Sequence, residues 1–121
     1  MASVLILGFD PRTVPDVDGE ALQAVLDKEL ARLQADSIDA SLVMVAADQS
    51  DLSAFVTALS ERDWDVVLIG GGIRNKAELT FFERVVNLVH RHAPGSAIAF
   101  NAGIGEIAEA ARRWLPFSPA S

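Results

Sequence analysis

Apolar residues in this chain fall into four short, nearly unbroken runs, and between the runs they recur at intervals of three and four. An apolar run without alternation is the pattern of a strand covered on both faces, as in the interior of a parallel sheet. The runs predict strands over 3–9, 40–46, 66–69 and 96–100. The intervals predict helices. Over 20–35, Leu22, Val25, Leu26, Leu30 and Leu33 share one face, with Lys28, Glu29, Arg32 and Gln34 largely on the other and Asp18 placed to cap the first turn. After a turn over 47–51 with Asp48 and Asp51 as cap candidates, a short helix carries Leu52, Phe55, Val56 and Leu59 and closes at the charged residues 61–63. A third helix is predicted over 76–91, with Leu79, Phe82, Val85, Val86 and Val89 on its core face and Phe81 and Leu88 widening that face. The surplus at Phe81, Val85 and Leu88 suggests a homodimer contact through this helix. The last helix turns Ile107, Ala108, Ala111 and Leu115 inward, Pro116 ends it, and 116–121 is a tail.

Strands alternating with helices of this length mean right-handed crossovers onto a parallel sheet with helices on both faces. The prediction is a single α/β domain over 1–121, a three-layer α/β/α sandwich with four parallel strands. The first and third runs are the most evenly apolar, which makes them the interior pair and gives the order 2-1-3-4.

Composition narrows the function more than the fold. The 121 residues are half hydrophobic and 22% charged, so a core of ordinary size forms without staples. The formal net charge of -7 repels phosphate backbones and anionic bilayers, which argues against nucleic acid and membrane partners. There is no cysteine, so disulfides, thiolate catalysis and cysteine-based zinc sites are excluded. The first residues have no basic stretch and too short an apolar run for a signal peptide or a span, and a cytoplasmic protein is the expectation.

In an open parallel sheet the ligand site lies beyond the carboxyl ends of the strands, where the winding reverses. The order 2-1-3-4 puts that point between the first and third strands, where Asp10, Pro11 and Arg12 would face Gly70, Gly71, Gly72, Arg74 and Asn75. Glycine amides and two arginines suit an anionic small molecule, a phosphate or carboxylate, with Asn101 donating from the side. A purely structural account is also open, in which the glycines turn the chain, Asn75 and Glu78 form a capping box and Asn101 caps the last helix. No Gly-x-Gly-x-x-Gly or Gly-Lys-Ser/Thr motif is present, the first loop has only one threonine for a flavin phosphate, and Gly70 stands where a phosphorylated receiver domain needs an aspartate. No cofactor is therefore assigned.

Asp10 at a strand end is the candidate general base of an alternative, enzymatic reading, and Asp10, Asp16 and Asp18 could offer oxygen to a hard cation, though solvation and capping explain them as well. His90 and His92 lie two apart near a helix C-terminus, where they complement its dipole and cannot pair on a metal. No Gly-x-Ser-x-Gly elbow exists, and Trp64 and Trp114 are expected to pack.

The succession Leu7-Gly8-Phe9-Asp10-Pro11, Ile69-Gly70-Gly71-Gly72-Ile73-Arg74, Val89-His90 with Ala93-Pro94-Gly95, and Ala97-Ile98-Ala99-Phe100-Asn101 resembles a family of small single-domain bacterial proteins over nearly the whole chain. That resemblance implies a compact flavodoxin-like or Rossmann-like domain and brings no catalytic role with it.

Overall fold

The computed structural model describes residues 2–15, 17–46, 48, 51–75 and 78–115, and of Asn75 the backbone alone. The candidate Asp16 and the tail 116–121 lie outside these residues. The chain runs β1 (Ser3–Phe9), α1 (Gly19–Ala35), β2 (Asp39–Val45), α2 (Ser53–Glu61), β3 (Val66–Ile69), α3 (Gly71–Asn75), α4 (Leu79–His92), β4 (Ala97–Phe100) and α5 (Ile107–Trp114), with 3-10 turns at Pro11–Thr13 and Ile104–Glu106. All strand pairs are parallel and the order is β2-β1-β3-β4, as the distribution of apolar runs predicts.

Strand periodicity divides the core in two. Leu5, Leu7 and Phe9 of β1 with Val67 and Ile69 of β3 pack against Phe55 and Leu59 of α2, Ile73 of α3 and Phe81, Val85 and Val89 of α4. Val4 and Ile6 with Val66 and Leu68 face Leu33 of α1 and Ile107, Ala108 and Ala111 of α5. β3 and all of β1 except Gly8 are buried between these layers, which is why their sequences do not alternate.

Local chemistry sets the ends of the elements. Asp18 accepts from the Ala21 amide at 3.1 Å and caps α1, as expected. The indole of buried Trp64 donates to the Ala58 carbonyl at 2.8 Å, with the Arg62 guanidinium 5.0 Å from its ring centroid.

Several expectations are corrected. The stretch after β3 is helical almost at once, because the Gly70 carbonyl accepts from the amides of Ile73 and Arg74 and starts α3, so Gly71 and Gly72 belong to a helix and not to a loop. The third predicted helix begins later, at Leu79, with Glu78 in the N-cap position expected for Asn75, whose backbone ends α3. That start leaves Leu79 76% exposed and turns Phe81 inward, where its ring stacks on Phe9 at 6.2 Å. Phe81 and Val85 are spent on the core, so of the three residues expected at a dimer face only Leu88 is partly exposed. Trp114, expected to pack, is 55% exposed. Glu29, expected on the polar face of α1, is buried; it accepts from the Ala108 amide in the first turn of α5 at 3.1 Å and pairs with Arg32 at 3.1 Å. A carboxylate from one helix thus caps another.

Candidate functional site

Val4 and Ile6 fill the layer between the sheet and α1 and α5. The next position on that face of β1 is Gly8. A Cβ placed there would have no atom within 4 Å, and no glycine among the described residues has a positive φ, so neither a close approach nor the backbone conformation calls for glycine. Beside it, Gly70 is under the opposite constraint. Its amide donates to the Leu7 carbonyl at 2.8 Å, and a Cβ would stand 2.9 Å from that oxygen. The two glycines lie side by side at the carboxyl edge of the sheet, where bare backbone takes the place of side chains.

The space they leave belongs to a cavity of about 290 Å³, near the lower end of the range for ligand pockets. Leu22 and Leu26 of α1, Leu42 of β2, Ile104 and Ile107 wall it, and Pro11 and Val14 bound it from the loop after β1. Among the described residues that line it, Asn101 has the one polar side chain. This asparagine follows β4 directly and is 3% exposed; its Nδ2 donates to the Gly103 carbonyl at 2.8 Å, and its Oδ1 is buried with no partner. Gly71 and Gly72 also line the cavity, and as the first residues of α3 they have no carbonyl one turn back for their amides.

The chain matches no protein-family model and no curated protein. Its fold has a solved counterpart. It is similar to a chain from a crystal structure described as "putative lipoprotein from Peptoclostridium difficile 630 (fragment)", with a TM-score of 0.52 and 19% identity over 83% of this chain and 72% of that one. At that identity the likeness is one of fold. Among the described residues no helix is long and apolar enough to cross a membrane.

Of the residues singled out from the sequence, Gly70, Gly71, Gly72 and Asn101 line the cavity, whereas Asp10, Arg12 and Arg74 do not. Arg12 is 80% exposed and pairs with Asp10 at 3.2 Å, and it flanks a separate depression with Gly19, Glu20 and Gln23. The 3-10 turn at Pro11–Thr13 supplies the reason: it folds Arg12 back onto the residue two before it, and the Arg12 amide also donates to the Asp10 carboxylate at 3.0 Å. The Arg12 guanidinium and amide hold the Asp10 carboxyl below the usual aspartate range, which favours an ion pair and disfavours a base at neutral pH. Arg74 donates to the backbone carbonyl of Asn101 and lies 5.6 Å from the Phe100 ring centroid; its Nε is buried without a partner. Among the described residues no three His, Cys, Asp or Glu side chains are grouped to hold a metal, and Asp18 is occupied as a cap.

Sequence reasoning passed over Gly8 and the apolar wall from α1. A glycine inside an otherwise apolar strand was the available signal.

Proposed function

We propose that this chain is a small-molecule binding domain whose ligand sits at the carboxyl ends of β1 and β3. The observation that carries the reading is the apolar cavity at the point where the sheet reverses its winding, with the unpaired Oδ1 of Asn101 as its polar landmark. The apolar part of the ligand would contact Leu22, Leu26 and Ile107, and its polar end would meet Asn101 and the amides of Gly71 and Gly72. A phosphate or carboxylate, the group expected from the sequence, would meet those amides with no guanidinium facing it, since Arg12 is held by Asp10 and Arg74 by the Asn101 carbonyl. The enzymatic alternative draws less support, because its base candidate Asp10 is paired with Arg12, which lowers its basicity, and lies off the cavity lining.

A thermal-shift screen tests the proposal, with phosphate, nucleotides, sugar phosphates, small carboxylates and small neutral amides and alcohols as ligands. A ligand at about 100 times its dissociation constant adds about 2.7 kcal/mol, or roughly 10 °C in a domain of this size. Hits whose amide shifts map to Gly8, Gly70 and Asn101 would support the site. A panel with no hit, or hits that map elsewhere, would reject it.

A further inference from the structure

On the reading that the cleft holds a small molecule, we propose that this ligand is uncharged, lays its apolar body on the bare backbone of Gly8, and offers an N–H or O–H donor to Asn101. The charge of the ligand follows from what the cavity withholds. Among the described residues its lining carries no ionised side chain, the two nearby arginines are engaged with Asp10 and with the Asn101 carbonyl, and the chain as a whole is at -7. An ion entering such a site gives up hydration for apolar walls, and a desolvated ion without a counter-charge is the costliest occupant it could take.

The donor follows from Asn101. Its amide nitrogen is already committed to the Gly103 carbonyl at 2.8 Å, which fixes the oxygen as the unpaired atom. A buried acceptor calls for a donor, and a carboxylate or phosphate would bring only further lone pairs to it. A carboxamide or an alcohol brings the missing N–H or O–H.

The place of the apolar body follows from Gly8. Glycine within a strand weakens it, and here neither φ nor crowding accounts for the choice. Gly103, which also lines the cavity, shares these properties: its backbone is extended at φ -147, ψ 166, and its Cβ position is open. The two residues keep side chains out of a space walled in part by Leu22, Leu26, Leu42, Ile104 and Ile107. A flat apolar group against the strand backbone fits that space.

The experiment is a titration of the full chain, followed by amide NMR, with four probes that share one ring and differ in their head: benzamide, benzyl alcohol, benzoate and phenyl phosphate. Benzamide and benzyl alcohol should move the resonances of Gly8, Gly70, Asn101 and Gly103, and at neutral pH should bind at least about tenfold more tightly than the two anions. Gly8→Val, which places its side chain in open space and leaves the backbone unstrained, should keep the spectrum of a folded domain and weaken benzamide at least about tenfold. Benzoate or phenyl phosphate binding as well as benzamide at the same resonances would overturn the uncharged donor while leaving a binding cleft in place. Undiminished benzamide affinity in Gly8→Val would overturn the position of the apolar body. Silence from all four probes at millimolar concentration would bring down this inference and the binding reading together.

Discussion

The buried carboxylate of Glu29 ties the two helices that wall the cavity, and its removal should loosen both. Glu29 sits on α1, one turn from Leu26, and it accepts from the amide of Ala108, next to Ile107. Glu29→Ala leaves that first-turn amide of α5 without its acceptor. A hydrogen bond to a charged group is worth about 1.5–3 kcal/mol net. The pair with Arg32, whose side chain is half exposed, adds about 0.3–0.5 kcal/mol. One buried methylene adds about 0.8 kcal/mol, and the relief of no longer burying a carboxylate offsets part of the sum. A net loss of about 2–3 kcal/mol follows, or roughly 8–12 °C in melting temperature. Glu29→Gln keeps an acceptor oxygen and the shape, and should lose about 1 kcal/mol or less. Urea unfolding followed by the fluorescence of buried Trp64 measures both variants, and hydrogen exchange at Ala108 should quicken in Glu29→Ala alone. Equal losses in the two variants would mean that charge, and not the cap on α5, is what matters. A loss below about 0.5 kcal/mol in Glu29→Ala would refute the clamp altogether.

The two adjoining glycines should respond to alanine with opposite signs. Gly70→Ala forces a Cβ to within 2.9 Å of the Leu7 carbonyl oxygen, so the β1–β3 pairing must shift at a cost of about 1–3 kcal/mol; a urea midpoint at the wild-type value would contradict that geometry. Gly8→Ala meets nothing and removes a flexible residue from a strand, so stability should rise by about 0.5–1 kcal/mol in the absence of ligand, and a fall would show that the open space is not there. The pH dependence of Asp10 has a definite sign. Its folded-state pKa is lowered by the hydrogen bonds and charge of Arg12, so the stabilisation is present above the unfolded pKa and fades as the pH falls through the folded one. A carboxyl NMR titration should place Asp10 below an ordinary aspartate, and Arg12→Ala should raise it; an Asp10 midpoint that ignores Arg12→Ala would exclude the pair in solution.

The strands and their order were legible because they rest on burial alone. Val66–Ile69 has no polar residue to give either face to water, so it reads as a central strand, and β1 beside it follows. Helix boundaries near the glycines were not legible in the same way. Gly71 and Gly72 have the poorest helix propensity short of proline, yet the bonds from Ile73 and Arg74 to Gly70, together with the complete burial of Ile73, hold them in α3. Starting α4 at Leu79 then shifted which residues face inward, exchanging exposed Leu79 for buried Phe81. Glu29 was misplaced for a similar reason: a helical wheel records the face but not the orphan amide of α5 that a carboxylate on the edge of that face can reach.

The candidate site was legible in position and not in chemistry, and the same physics explains both. Position follows from topology, because any sheet in the order 2-1-3-4 opens its crevice between β1 and β3. Chemistry depends on which side chains already have partners. Two arginines near a glycine turn suggest an anion while they are imagined free, but Asp10 is two residues from Arg12, and the Asn101 carbonyl lies within reach of Arg74. The Asp10 contact spans two residues and costs little chain entropy, and the pairing of β3 with β4 brings Arg74 to the Asn101 carbonyl, so both guanidinium groups have partners before a ligand arrives. What the described residues leave at the crevice is an apolar wall, two strand-end glycines and the unpaired oxygen of Asn101. If the cavity binds a small molecule, one buried acceptor and no charge among the described lining residues would favour, by the cost of desolvation, a molecule that is mostly apolar and donates once.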